Sequence, residues 1–429
     1  MDHWRATTGL AARALATAGL FALLALGGCD PAPDAGPTNA ALEPLGNPCP
    51  RGPGRVFERG AVEDVTNDPP CRLVFRPTGV RLAALGDGSR HDPGPLVVKD
   101  SRGRYYSTNA TGWGATISVW SEDGSYLSSF GRVGEGPGEF AGDYLALLVD
   151  GGDSLHVRDL ANWSLFSPDH EYVRRAPSRM MGRGDRETTV VYYDGRILSS
   201  DGSGAGSEAY FTMANRDGTL DEVFGTAEDG SGAGGHYGHE RAIAYRAGYA
   251  SFWAAPSQQG STEYAFEEWY PVGDEGLLEE ERVPVIVRTL HRHQPWFNWT
   301  GNRYTSPAVL YIHITADDLL YVHMWRPSEE YLEAMKPFED RMTEGRWTMQ
   351  IQDEVDALMQ SLTHFVIEVI DVRSEQLLAS ETYPVAEVME GDPLLAQRFF
   401  RNEFTGYAYN IGEDGLPYVE IIEGMLVEK

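Results

Sequence analysis

The chain has 429 residues, 35 of them basic and 64 acidic, which gives a formal net charge of −29. That balance excludes nucleic acid as an ordinary partner, because a phosphate backbone would be repelled rather than neutralised. The acidic residues form no long block of like charge, so they read as a soluble, self-repelling surface.

Residues 1–28 carry Arg5 and Arg13 and then the apolar run ALATAGLFALLALGG. This is the layout of a secretory signal peptide, and the run is short for a membrane span. It ends in Leu26-Gly27-Gly28-Cys29, which resembles the lipobox of bacterial lipoproteins. The resemblance implies an exported protein whose Cys29 is lipidated and becomes the new N-terminus. One acyl chain holds a protein only marginally, at about 0.8 kcal/mol per buried methylene, but the several chains of a bacterial lipoprotein anchor it without its spanning the membrane. Inner and outer membrane, facing the periplasm or the cell surface, both stay open. Residues 29–53, rich in Pro, Ala and Gly, read as a flexible tether. With Cys29 assigned to lipid, Cys49 and Cys71 are an even pair in an exported chain, and a disulfide worth roughly 3 kcal/mol is expected.

From residue 54 to 429 the chain repeats with a period of about 40 to 50 residues, as propeller blades do. The first copy reads PLVVKDSRGRYYSTN (95–109) and ISVWSEDGSYLSSFG (117–131), the second LLVDGGDSLHVRD (147–159) and WSLFSPDHEYVRR (163–175). A third holds VVYYDGRILSSD (190–201) and YFTMANRDGTLDEVFG (210–225), and Asp123–Phe130 and Asp217–Phe224 have the same spacing of seven. Short apolar runs predict strands, and Asp-Gly, Pro-Asp-His and Gly-Gly-Asp predict the turns between them, where positive φ is needed. A fourth copy spans 244–256 and 263–280, a fifth 309–325 and 364–384, and the last, 404–428, stops at the chain end. RLVFRPTGVRLAALG (72–86) supplies the outer half of that last unit, with Arg-Pro-Thr-Gly in the turn position, so N-terminal strands close the ring. The count is six. FGRVGEGPGEF, followed by VDGGDSLHVRD and FSPDHEYVR, resembles the six-bladed, NHL-repeat-like β-propeller lipoproteins of bacteria, most closely over 95–175. The resemblance implies an all-β, six-bladed fold and an exported life, and no settled activity.

Within 328–362, Ser328 can cap a helix, and Val355, Leu358, Met359 and Leu362 fall on one helical face, with Pro337 and Gly345 expected to break the segment into two or three helices. It reads as a helical insert in the fifth blade, either a cap on the rim or a binding element. GRVGEGPGEF (131–140) is no phosphate loop, because Pro137 interrupts it and a strand follows. It reads as a connector between blades, and Glu135 and Glu139 as solvated carboxylates rather than an acid/base pair. The turn from Asp150 to Asp153 could bind calcium, though turn chemistry explains it without an ion.

His291 and His293 stand at i and i+2 on one strand face, where they could share a metal; His236 and His239 are candidates for completing the set only through their Gly-rich loop. His156, His313 and His323 fall within predicted strands. Trp296, Phe297, Trp299 and Tyr304 form an aromatic cluster that is either packing or a contact surface. No catalytic residue is assigned and no cofactor is required. The expectation is a membrane-anchored propeller that binds a protein, peptide or glycan, through Trp296, Trp299 and Tyr304 among others. The alternative is a metal-dependent hydrolase or lyase at the central channel, with a divalent metal at His291 and His293.

Overall fold

A computed structural model describes residues 47–55, 61–83, 92–109, 116–141, 144–159, 162–177, 189–191, 195–199, 209–215, 219–226, 242–246, 251–254, 263–270, 285–293, 305–343, 348–387, 398–401 and 403–429. Residues 1–28, read above as a signal peptide, and Cys29, read as the lipidation site, lie outside these residues. The chain first lays down β1 (Ala61–Asp64) and β2 (Cys71–Ala83), whose partners come much later. It then forms sheets in sequence order. The first holds β3 (Pro93–Lys99), β4 (Tyr105–Asn109), β5 (Ile117–Trp120) and β6 (Tyr126–Phe130); the second holds β7 (Tyr144–Val149), β8 (Leu155–Asp159), β9 (Asn162–Phe166) and β10 (Tyr172–Pro177). The third holds β11 (Thr189–Val191), β12 (Ile197–Ser199), β13 (Ala209–Ala214) and β14 (Leu220–Thr226), and the fourth β15 (Ile243–Arg246), β16 (Ser251–Ala254), β17 (Glu263–Tyr270) and β18 (Val285–His293). In the fifth are β19 (Ala308–Ile314), β20 (Leu319–Pro327), β21 (Thr363–Asp371) and β22 (Gln376–Pro384). The last has β23 (Arg398–Phe399), β24 (Thr405–Ile411) and β25 (Pro417–Glu428), with β2 antiparallel on the outer side of β25.

The strands are apolar on both sides because each sheet is covered on both faces. In β20, Leu320, Val322 and Met324 pack toward Trp253, Tyr264 and Leu290 of the fourth sheet. The alternate residues Leu319 and Tyr321 pack toward Phe399 and Leu73 of the last. This is the period-2 rule applied to a strand with no solvent face. The same logic runs through every seam between consecutive sheets. Phe140, Leu147 and Val157 meet Tyr106, Ile117 and Val119 between the first two, and Trp163 and Ala176 meet Ile197 and Ala214 between the next. Phe211 and Met213 meet Phe252 and Trp269 between the third and fourth. The last sheet returns to the first, where Phe400, Tyr407, Val419 and Leu82 cover Val97, Tyr105 and Trp120. The molecule is an all-β propeller.

One turn recurs between the strands. In Asp100–Arg104, Ser121–Ser125, Asp150–Ser154, Ser167–Glu171 and Thr315–Leu319 the first residue's N–H donates to the fifth carbonyl, and the fourth N–H donates to the first carbonyl. The fourth residue is left-handed each time: Gly103, Gly124, Asp153, His170 and Asp318, at φ 80°, 85°, 61°, 67° and 70°. The Asp-Gly, Pro-Asp-His and Gly-Gly-Asp signals therefore mark this turn.

Three expectations are corrected. β2 is one strand rather than two: Arg-Pro-Thr-Gly is a bulge, with the register slipping between Pro77 and Arg81 and Gly79 at φ 86°. Residues 61–64, where the sequence predicts no strand, form β1, which pairs in parallel with β18, Ala61 opposite Arg288 and Asp64 opposite His291. The tether is fastened before residue 54, since Cys49 N–H donates to Leu426 O at 3.1 Å and Arg51 reaches Asp371 at 2.8 Å and Asp317 at 2.6 Å. Finally, Pro337 does not break its helix. Two helices, α1 (Glu329–Thr343) and α2 (Met349–Leu362), lie between β20 and β21, with Pro337 inside α1. Buried Tyr331, Met335, Ile351 and Val355 pack with Trp325, which outweighs the one backbone bond that proline removes. Ser328 does cap α1, its Oγ accepting from Tyr331 N–H at 3.0 Å, and Thr348 caps α2.

Cys49 and Cys71 form the expected disulfide, with Cα atoms 5.8 Å apart. Among the described residues no helix is long and apolar enough to cross a membrane.

Candidate functional site

Strand direction sorts the connections onto two ends of the sheets. Within each sheet, the link from its innermost strand to the second and the link from the third to the outermost fall at one end. The link from the second strand to the third, and the crossing to the next sheet, fall at the other. At the first end every connection but one is four or five residues long, the exception being 271–284 between β17 and β18. The second end carries segments such as 131–143, 178–188, 227–242, 294–307, 328–362 and 385–397. Long connections on a rigid scaffold are where recognition concentrates.

The described part of this connector end is built, not loose. The 131–140 stretch is pinned by Arg175, whose guanidinium donates to Glu135 O at 2.8 Å and Gly136 O at 2.9 Å, and also to Glu139 O. Glu139 accepts from Gly136 N–H at 2.7 Å and from Arg132, and these bonds hold its carboxyl below the usual range, the Gly136 bond contributing most. It is thus a fixed member of the connector, as is Phe140, fully buried in the first seam.

An open cleft of about 340 Å³ lies at the same end of the last sheet, between the end of β2 and the β24–β25 turn. Arg81 lies over the Tyr418 ring at 4.2 Å and pairs with Glu420 at 3.3 Å, while Glu413, Asp414 and Leu416 form the opposite lip. Sequence reasoning missed this cleft because Arg81 and Tyr418 meet only through the β2–β25 pairing, and no local spacing announces that.

The sequence-derived candidates are distributed as follows. Trp296, Trp299 and Tyr304 lie outside the described residues, in the segment that leaves β18 and enters β19, and so does Phe297; His236 and His239 are outside them as well. His291 and His293 are the last alternate residues of β18, His293 exposed at the connector end and His291 half-buried beside Asp64 of β1. Among the described residues no group of three or more His, Cys, Asp or Glu is placed to hold a metal ion.

The Asp150 turn has its oxygens taken: Oδ1 accepts from Gly152 N–H at 2.8 Å and Ser154 N–H at 2.9 Å, and Oδ2 lies 3.3 Å from His156 Nε2. His156 is buried and its Nδ1 accepts from Trp163 at 3.1 Å, a structural role shared by Tyr106, whose hydroxyl donates to Asp100. His313 and His323 are buried in the fifth sheet.

No family model matches the sequence, and no curated protein matches it. Several solved structures are similar in fold. A Bacteroides fragilis protein provisionally classed as exported is 13% identical, covering 86% of this chain and 99% of its own with a TM-score of 0.49. The WD40 domain of Neurospora crassa Pan2 is 8% identical over 83% of this chain and 97% of its own, TM-score 0.38. A gluconolactonase from Xanthomonas campestris is 11% identical over 86% of this chain and 99% of its own, TM-score 0.36.

Proposed function

We propose that this chain is an extracytoplasmic, lipid-anchored propeller of six blades, one per sheet and NHL-like in type, which binds a protein, peptide or glycan at its connector end. The asymmetry between the two ends carries this reading: with the exception of 271–284, connections of four or five residues close one end, and long connections, the helix pair and the Arg81–Tyr418 cleft share the other. Export is supported by the Cys49–Cys71 disulfide, a bond that persists in oxidising compartments, together with the signal sequence and the lipobox at Cys29. Trp296, Trp299 and Tyr304 belong to a connection of this end and are offered as ligand contacts, since aromatic side chains dominate binding surfaces.

The test is photo-cross-linking in the intact cell envelope. A photoreactive residue at Met349 or Leu416, exposed at the connector end, is compared with one at Asp169, exposed on a tight turn. Discrete products from the connector end alone are expected; equal yields from both ends would defeat the proposal. A stoichiometric divalent metal in the purified protein, lost on replacing His291 and His293, would instead favour the hydrolase or lyase reading.

A further inference from the structure

The N-terminal strap, residues 47–71, crosses three sheets. It starts on β25, crosses the fifth sheet through Arg51 and Arg55, and lies as β1 on β18. It then returns past Leu377, with which the Asn67 side chain exchanges two hydrogen bonds of 2.9 Å, to its disulfide at Cys71. Where β1 passes the β21–β22 turn, the carboxyl groups of Glu63 and Glu375 come within interaction range of each other. Glu63 Oε2 and Glu375 Oε1 are both buried, and neither has a hydrogen-bond donor. Two carboxylates so placed cannot satisfy each other, whereas a carboxylic acid and a carboxylate can: one proton on either oxygen supplies the missing donor for both. The backbone ties the strap to the same turn, Arg55 N–H donating to Arg373 O at 2.9 Å.

We infer that β1 is a proton-dependent latch on the fourth sheet. With a proton shared between Glu63 and Glu375 the strand stays on β18; without it the strand lets go, and the Cys49–Cys71 disulfide keeps the strap on the molecule. Release would uncover the outer edge of β18, a row of backbone donors and acceptors able to pair with another strand.

The charges around Glu63 come from every element packed on it. β18 presents Arg288, already bonded to Glu268 at 2.9 Å; the strap presents Arg55, 3.1 Å from the other oxygen of Glu375. The β21–β22 turn presents Glu375 and Arg373, the latter 3.8 Å from Asp318 and 3.9 Å from Asp371. Asp64, next on β1, is exposed opposite His291. Burial first and Glu375 second raise the Glu63 carboxyl to about 7, against the smaller opposing pull of Arg288 and Arg55. An acid raised in the folded state stabilises that state at low pH, and the contribution is lost as pH rises through about 7.

Hydrogen exchange of the full disulfide-bonded protein, corrected for intrinsic rates, tests this between about pH 5.5 and pH 8.5, a window that brackets the folded-state value of about 7. Protection of residues 61–65 and of the amides they meet on β18 should fall about tenfold or more as pH rises. In Glu63→Gln the amide donates to Glu375 at every pH, so protection should stay level. A wild-type profile without the fall, or the same fall in Glu63→Gln, overturns the latch. Should Glu63→Gln lose β1 at all pH values, Glu375→Gln decides, since its amide can donate to Glu63: a level profile supports the latch and a pH-dependent one rejects it.

Discussion

His313 and His323 show how single buried rings set the response of this propeller to acid. Burial lowers both to about 4. The neutral His313 ring donates from Nε2 to Glu403 O at 2.7 Å; His323 packs edge-on against Phe365 at 4.9 Å with its Nε2 buried and without a partner. An unfolded histidine takes up its proton near pH 6.5, whereas these rings wait until about 4, so between those values the unfolded chain binds more protons. Stability therefore drops as pH falls through that window, by up to about 1.4 kcal/mol per pH unit for each ring. His323→Phe keeps the aromatic packing and removes one ring's share. Urea unfolding should find neutral-pH stability within about 1.5 kcal/mol of wild type and a shallower loss on acidification; an unchanged acid slope would show that His323 is not held neutral. Glu63 works in the opposite direction over much of the same window on the acid side of neutrality, so its linkage partly offsets that of the two histidines there. These roles could not be seen in the sequence, because desolvation comes from facing sheets and the residue beside Glu63 is Glu375, more than three hundred positions away.

At the scale of elements, the recurring five-residue turn is what made the chain readable. Asp-Gly and Gly-Gly-Asp lie at fixed places because the fourth residue must be left-handed, and that local demand is visible without any partner. The helices were legible for a similar reason: Ser328 at the cap and the Val355, Leu358, Met359, Leu362 stripe are local signals, while the passage of α1 through Pro337 depends on packing against Trp325 that no local signal records. Arg-Pro-Thr-Gly imitated a turn because a bulge with glycine at positive φ uses the same residues. The turn also separates two costs. Gly415 sits at φ 77° with open space where a Cβ would be, so Gly415→Ala should cost about 1–2 kcal/mol, the left-handed penalty alone. Gly124 sits at φ 85° with the Arg81 carbonyl 2.5 Å from that position, so Gly124→Ala must also displace the backbone of β2. Its loss in urea unfolding should exceed that of Gly415→Ala by more than about 1 kcal/mol; equal losses would mean that β2 shifts freely there.

For the whole molecule the question is how a ring of sheets closes when its last sheet is assembled from both ends of the chain. β2 supplies the outer strand, and its side chains enter two seams: Leu73 meets the fifth sheet's residues and Leu82 meets Val97, Tyr105 and Trp120 of the first. If β2 detached, both seams would open together, and the strap that precedes it would lose its far attachment. That closure by an N-terminal strand was legible from the missing outer part of the last repeat. The strap and β1 on the fourth sheet were not, since nothing in AVED marks a parallel partner more than two hundred residues later. The disulfide joins the start of the strap to the first residue of β2, its cysteines 22 positions apart. Closing a loop of that size in the unfolded chain favours the folded state by roughly 3 kcal/mol. The double variant Cys49→Ser/Cys71→Ser should therefore lose about that unfolding free energy, read as a lower urea midpoint with little change in slope, while wild type in reductant should approach the same midpoint. Amides of β2 and β25 should exchange faster in the variant than those of β8 and β9, because opening begins at the closure. A loss spread evenly over all the sheets would show instead that the ring opens as one unit and that its closing strand is no weaker than the rest.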